Sequence, residues 1–111
     1  MDTEDVVVII PTLDEATTVG EVVAGFRAQG FDAVVVIDGH SRDGTPTVAA
    51  DAGASVLQQR GQGKGAAVRE AVAATDRPVI VLVDGDGTYL PEEVGELLAP
   101  LRRGAAHVIG N

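Results

Sequence analysis

Short runs of wholly apolar residues alternate along this chain with segments of helical periodicity, and that alternation limits the folds available to it. The runs that predict strands are Val6–Ile10, Ala33–Ile37, Ala54–Leu57, Val79–Val83 and Ala106–Ile109. Because these runs contain no alternating polar residues, they are typical of a parallel sheet that is covered on both faces.

The segments between the runs carry helix signals. The expected helices run from an Asp14 N-cap to a stop at Gly30, from a Thr45 N-cap to Ala52, from Ala66 to Ala74, and along the stripe Val94, Leu97, Leu98 and Leu101. Strands separated by helices of this length are joined by right-handed crossovers. The sequence therefore predicts an α/β fold over residues 1–111, a doubly wound three-layer domain with strand order 3-2-1-4 at its core.

Composition narrows the classes of partner. The chain has 111 residues, no cysteine, and 17 acidic against 8 basic residues, for a net charge of −9. Nucleic acid is not an expected partner, because phosphate backbones require a basic surface. The acidic start and the lack of a long apolar stretch indicate a cytoplasmic domain with no signal peptide and no membrane span. The acidity also suggests a halophilic, high-salt cytoplasm, in which salt screens the self-repulsion.

Two carboxylates follow the fourth predicted strand, in the segment Asp84-Gly85-Asp86-Gly87. Residues two apart in an extended chain point the same way, so Asp84 and Asp86 can converge on one point. Mg²⁺ or Mn²⁺ is commonly held by one or two carboxylates together with water and substrate phosphates. The competing interpretation is an acidic surface turn, because Asp-Gly is a frequent turn pair.

Acidic residues also follow the first two predicted strands. In the predicted strand order, residues 11–15 and 84–86 line one crevice at the switch point, and Asp38 flanks it. Asp38 can accept a hydrogen bond from a base or a ribose hydroxyl, or it can simply shape a turn with Gly39. His40 has no partner at metal-ligand spacing and receives no role.

Lys64, the only lysine, lies in the glycine-rich segment 61–65 before a predicted helix. Free N–H groups at such a helix start favour anions, so a phosphate contact is expected. The segment is not a Walker A loop, because Gly65 stands where Ser or Thr is required. It does fit the looser G-x-G-x-x-A pattern through Ala66, which leaves a dinucleotide-binding domain as an alternative. That pattern usually follows the first strand, whereas here it follows the third.

Four segments together resemble family 2 glycosyltransferases of the GT-A fold, closest to the archaeal dolichyl-phosphate mannose and glucose synthases. The segments are Ile10 to Glu15, Asp38 to Thr45, Gly63 to Gly65, and Asp84 to Tyr89. Each is short, but the likeness keeps their order and spacing and extends over essentially the whole chain. It implies the N-terminal, donor-binding half of such an enzyme.

The resemblance also implies a set of site residues. The donor-binding set would be Pro11, Leu13, Glu15, Ile37, Asp38, Lys64, Asp84, Gly85 and Asp86, with Asp84 and Asp86 at the metal and Asp86 its principal ligand. Two departures from the family pattern matter. Gly39 stands where a second Asp is common, and Leu13 stands where Tyr is frequent, so contacts to the nucleoside are expected to be weaker.

The implied reaction is inverting transfer of a sugar from a GDP- or UDP-sugar, with Mg²⁺ or Mn²⁺ as cofactor. A lipid acceptor such as a polyprenyl (dolichyl) phosphate is already anionic and needs no general base. The resemblance places acceptor-binding and base residues beyond Asn111, so no catalytic residue is assigned here. It therefore implies a shortened chain, a completing chain or an oligomer, and peripheral association with the cytoplasmic face of a membrane. A noncatalytic nucleotide-binding module and an NAD-type dinucleotide-binding domain stay as alternatives.

Overall fold

A five-stranded sheet forms the centre of the fold, and its strands, numbered along the chain, lie in the order 3-2-1-4-5. The computed structural model describes residues 3–77, 79–83 and 107–108. After a 3-10 turn at Thr3–Asp5, the elements are β1 (Val6–Thr12), α1 (Val19–Ala28), β2 (Val34–Asp38), α2 (Thr45–Asp51), β3 (Ser55–Gln58), α3 (Lys64–Ala73), β4 (Val79–Leu82) and β5 (His107–Val108). All four strand pairs are parallel. The predicted α/β fold and the order 3-2-1-4 are confirmed; the helix expected around Val94 to Leu101 lies outside the described residues.

Apolar clusters cover both faces of this sheet, as the absence of polar alternation predicts. On one face, Val6, Val8 and Ile10 of β1 pack in a cluster with α1 and with Ala49 of α2. On the other face, Val7 and Ile9 pack with residues of α3. Alternate residues of one strand thus enter opposite layers, which gives the three-layer arrangement.

The first strand extends further than the sequence predicts. The predicted strand ends at Ile10, just before Pro11, but β1 continues to Thr12, with Pro11 in register with Ile37. The physical reason is the side of the strand on which Pro11 lies. The Ile9 carbonyl accepts from Val83 of the β4 side, and residue 11 faces the same way, beyond the point where the described pairing with β4 ends. The N–H that proline lacks therefore faces β4, and the pairing of Pro11 with β2 does not need it.

Two predicted helix caps were wrong. Asp14 does not cap α1, which begins at Val19 after an N-cap at Thr18. Asp14 instead has a positive φ of 54° within the preceding loop. Thr45 is the first helical residue of α2 rather than its cap; the N-cap is Gly44, in the left-handed conformation that glycine adopts without strain. In both cases the polar side chain bonds to the neighbouring loop instead of to its own helix.

Candidate functional site

Three loops leave the sheet at the same edge. The first loop (residues 13–18) follows β1, the second loop (residues 39–44) follows β2, and the glycine-rich loop (residues 59–63) follows β3. Thr12 is in register with Asp38, and Asp38 is in register with Gln58, so these strands end level with one another. The β4 side joins this edge through the Val83 N–H, which donates to the Ile9 carbonyl at 3.1 Å. Such an edge at a switch point is where open α/β sheets bind ligands.

Asp38 is buried at the centre of this edge, with 1% of its surface exposed. Its Oδ1 accepts hydrogen bonds from the Thr12 hydroxyl at 2.9 Å and the Ser41 hydroxyl at 2.6 Å. Its Oδ2 accepts from the Ser41 backbone N–H at 2.8 Å. The protein itself therefore satisfies this carboxylate with three donors, and the arrangement ties the end of β1 to the second loop.

The first and second loops are joined further through Asp14. Its backbone N–H donates to the Ser41 hydroxyl at 2.8 Å, and its Oδ1 accepts from the Arg42 N–H at 2.8 Å. Ser41 thus accepts from one loop while it donates to the buried Asp38. A positive φ at Asp14 is the backbone cost of this reciprocal contact, and Asp is among the residues that tolerate it best.

Asp43 makes a second connection between the same loops. Its Oδ2 accepts from the Ala16 N–H at 3.1 Å, and its Oδ1 accepts from both the hydroxyl and the N–H of Thr45. The Thr45 hydroxyl in turn accepts from the Glu15 N–H at 2.9 Å. The hydrogen bond from the Thr45 hydroxyl, followed by those from backbone N–H groups, holds the pKa of Asp43 below its usual value.

The glycine-rich loop is held by Glu70 of α3. The Glu70 carboxylate accepts from the N–H groups of Arg60 at 2.7 Å and Gly61 at 2.9 Å, which lower its pKa from the usual value. Gln59, only 4% exposed, donates from Nε2 to the Gly63 carbonyl at 2.9 Å. Two backbone donors of this loop are therefore bound by an internal carboxylate, and any phosphate would have to use other groups.

The sequence-predicted residues fall into three environments. Leu13 is 59% exposed in the first loop, whereas Pro11 and Glu15 are half-buried. Ile37 is 1% exposed and packs in the cluster beneath α3, so its described conformation offers a ligand little of its side chain. Lys64 is the first residue of α3. Asp84, Gly85 and Asp86 lie outside the described residues.

Thr12 and Ser41 are two polar residues of this edge that the sequence interpretation missed. Ser41 carries a usable local signal, because an Asp side chain can accept a hydrogen bond from a backbone N–H a few residues further along the chain. Thr12 carries no local signal, since its contact with Asp38 joins residues 26 positions apart.

The expected metal ligands are hard carboxylate oxygens, which are the donors that Mg²⁺ and Mn²⁺ prefer. In the part of the chain that the structure describes, no three His, Cys, Asp or Glu side chains are grouped as a metal site. Asp84 and Asp86, which follow β4 in the sequence, carry such oxygens and stay the predicted metal ligands.

Comparison with known proteins assigns the family. Residues 7–111 match the sequence profile of Glycosyl transferase family 2. The chain belongs to glycosyltransferase family 2. The resemblance seen in the four sequence segments is thereby confirmed.

Two proteins from the archaeon Haloferax volcanii are similar to this chain over almost its whole length. Glycosyltransferase AglJ is 49% identical, and the match covers 100% of this chain and 37% of AglJ. A dolichyl-phosphate hexose transferase is 39% identical, and the match covers 97% of this chain and 48% of that protein. The chain thus spans less than half the length of either relative.

A solved structure of a similar protein shows the same fold. Glucosyl-3-phosphoglycerate synthase from Mycobacterium tuberculosis, in complex with Mn²⁺, UDP-glucose and phosphoglyceric acid, superposes with a TM-score of 0.75 at 28% identity. The match covers 86% of this chain and 39% of that enzyme. The GT-A fold implied by the resemblance is therefore confirmed. Among the described residues, no helix is long and apolar enough to cross a membrane.

Proposed function

We propose that this chain is the donor-binding part of a metal-dependent, inverting glycosyltransferase that moves a sugar from a nucleoside diphosphate sugar to a polyprenyl phosphate. One observation carries the proposal: the strand register brings the first loop, the second loop and the end of β4 to a single edge of a family 2 sheet. Asp84-Gly85-Asp86 continues from that edge in the sequence.

The proposed donor-binding residues differ in how accessible they are and in where they lie in the fold. Leu13 is exposed beside the switch point, and Lys64 begins α3 next to the glycine-rich loop. We assign nucleoside contact to the region around Leu13 and Glu15, and diphosphate contact to Lys64, Asp84 and Gly85. Ile37 and Asp38 stay predicted donor-site residues, with the three donors on Asp38 favouring a role in holding both loops.

Asp84 and Asp86 would hold Mg²⁺ or Mn²⁺, with Asp86 as the principal ligand. A bound metal supplies positive charge that offsets the charge on a departing diphosphate. The Mn²⁺ and UDP-glucose in the mycobacterial synthase support this choice of cofactor and donor class. The name of the dolichyl-phosphate hexose transferase supports a lipid phosphate as acceptor.

The placement of the glycine-rich loop bears on the dinucleotide-binding alternative. That loop follows β3, the edge strand of the described sheet, and Glu70 binds two of its N–H groups. Both features disfavour the pyrophosphate cradle that the G-x-G-x-x-A pattern suggests. The family match favours the nucleotide-sugar interpretation over it.

Calorimetric titration tests the proposal. The protein is titrated with UDP, GDP and NAD, each with and without Mn²⁺, and the titrations are repeated with Asp86→Ala. Asp51→Ala is the matched control, because Asp51 is an exposed acid at the end of α2, away from the carboxyl edge. Metal-dependent binding of UDP or GDP that Asp86→Ala abolishes and Asp51→Ala preserves is the expected result; metal-independent NAD binding contradicts it.

A second measurement separates an enzyme from a noncatalytic module. UDP-glucose or GDP-mannose is incubated with a polyprenyl phosphate and Mn²⁺, and glycosylated lipid is detected by mass spectrometry. Product formation supports the transferase. Nucleotide binding without product, in the protein together with any completing chain, supports the noncatalytic alternative.

A further inference from the structure

His40 has no part in the site described so far, yet its imidazole contacts two neighbouring segments. The ring Nε2 lies 3.2 Å from the Gly61 carbonyl oxygen, and Nδ1 lies 3.3 Å from Gln58 Nε2. A carbonyl oxygen only accepts, so Nε2 carries the proton and donates to Gly61. Nδ1 then accepts from the Gln58 amide, whose nitrogen also donates to the Asp38 carbonyl at 3.0 Å. Both ring nitrogens therefore have a hydrogen-bond partner.

Gly61 is consequently held from two sides. Its carbonyl accepts from His40 of the second loop, and its N–H donates to Glu70 of α3. Among the described residues, His40 is the one side chain of the second loop that hydrogen-bonds to the glycine-rich loop. The two contacts connect the carboxyl end of β2 to α3 through a single glycine.

The backbone of His40 is adapted to this contact. Its φ is 71°, in the left-handed region, which residues other than glycine adopt at some cost, although His tolerates it better than most, as Asn and Asp do. His40 is also exposed, so burial does not oblige it to take this conformation. The hydrogen bonds to Gly61 and Gln58 are the described contacts that can offset the cost of this backbone conformation.

We propose that His40 is a positioning residue of the nucleotide site: it holds the glycine-rich loop against the end of β2 and so fixes the start of α3, at Lys64, for contact with a diphosphate. This inference rests on the proposed function, because it requires a nucleoside diphosphate at this edge. His40 acts through the loop and does not itself contact the ligand.

The variants must separate the ring contacts from the unusual backbone. His40→Gly keeps the left-handed conformation freely accessible and removes both hydrogen bonds. His40→Gln returns an amide nitrogen that can reach the Gly61 carbonyl, and serves as the conservative rescue. Arg42→Gly is the matched control, since it introduces an equally flexible residue in the same loop and retains the Arg42 N–H that bonds Asp14.

Two measurements are made on each variant. Hydrogen exchange of the ligand-free protein reports on the amides of residues 60–63, and calorimetry reports the Kd of UDP or GDP, whichever the wild type binds with Mn²⁺. We expect His40→Gly to exchange faster in this loop and to bind the nucleotide roughly threefold to tenfold more weakly, because the two lost hydrogen bonds act on the ligand only through the loop. His40→Gln should restore part of the slow exchange and part of the affinity, and Arg42→Gly should change neither the exchange nor the affinity.

The outcomes are separable. Equal affinity of the wild type and His40→Gly overturns the positioning role alone. Weaker binding with unchanged exchange in residues 60–63 also overturns it, because His40 would then contact the ligand directly. If the wild type binds neither UDP nor GDP with Mn²⁺, the proposed function fails and this inference fails with it.

Discussion

The Thr12 hydroxyl at the end of β1 donates to the buried Asp38 carboxylate at the end of β2, at 2.9 Å. Both residues are almost fully buried, at 4% and 1% exposure. This hydrogen bond lies where the two strands end in register, so it fixes the origin of both loops at the candidate site. Its partner on the same oxygen, the Ser41 hydroxyl, extends the connection into the second loop.

Replacing Thr12 with Val removes this donor while keeping the side-chain shape. We expect a loss of about 1–3 kcal/mol in the free energy of unfolding, because a buried carboxylate is left with one donor fewer. Urea denaturation measures the change. Thr17→Val is the control, since Thr17 is exposed in the first loop, and it is expected to change stability by less than about 0.5 kcal/mol. Equal effects of the two substitutions would show that the Thr12 hydroxyl is not structural.

Glu70 predicts a specific acid sensitivity. Hydrogen bonds from the N–H groups of Arg60 and Gly61 hold its pKa in the folded state below the usual value of 4.5. A lowered folded pKa means that its contribution to stability is complete above the unfolded pKa and is lost as the pH falls through the folded pKa. Stability should therefore fall on acidification below about pH 5, and part of this dependence should be absent in Glu70→Gln.

Urea midpoints measured from neutral pH downward test this dependence in the wild type, in Glu70→Gln and in a control variant. Glu21→Gln, which neutralises an exposed acid of α1 far from the glycine-rich loop, should leave the pH profile close to that of the wild type. If Glu70→Gln and the wild type lose stability in parallel, the two backbone hydrogen bonds contribute nothing to the acid sensitivity.

The sheet was predictable from the sequence, and the loop contacts were not. Strands such as Val6 to Ile10 can be recognised in the sequence, because burial on both faces requires continuous apolar residues. Pro11 misled the prediction because its cost depends on which neighbour its missing N–H faces, and that is a property of the assembled sheet. Asp14 and Thr45 misled it because each has a long-range partner in the other loop that outcompetes local capping. Residue type alone does not reveal a partner almost 30 positions away.

Salt dependence tests the inference of a high-salt environment. A net charge of −9 on 111 residues produces self-repulsion that salt screens over about 10 Å at 0.1 M and about 3 Å at 1 M. We expect the thermal unfolding midpoint to rise between low and molar KCl. An uncharged osmolyte at matched osmolarity is the control for effects other than screening. A fall in the midpoint with KCl would remove the halophilic interpretation.

Leu13 gives a prediction about nucleoside affinity. Its side chain is 59% exposed beside the switch point, so it can be enlarged without disturbing the core. Leu13→Tyr should tighten UDP or GDP binding several-fold. Stacking of an aromatic ring on a base contributes about 1–3 kcal/mol to the binding free energy in favourable cases. Calorimetry measures the Kd, and the urea midpoint should stay unchanged. Val72→Tyr, at an exposed apolar position on α3, is the matched control and should leave the affinity as it is. Tighter binding in both variants would point to a nonspecific effect of the added ring.

Gly39 and Gln59 form a close pair that predicts a non-additive effect on stability. A Cβ at residue 39 would lie 3.0 Å from Gln59 Oε1 and 3.3 Å from the Thr12 carbonyl oxygen. Gly39→Ala should therefore lower the free energy of unfolding by about 1–3 kcal/mol, the usual cost of overpacking. Shortening Gln59 to Ala frees that space, so the double substitution should cost less than the sum of the two single ones. Gly65→Ala is the control, because its Cβ would meet Arg69 at an ordinary 3.4 Å within α3 and should be neutral or stabilising. Additive costs for Gly39→Ala and Gln59→Ala would mean that Gln59 is not what requires glycine at residue 39.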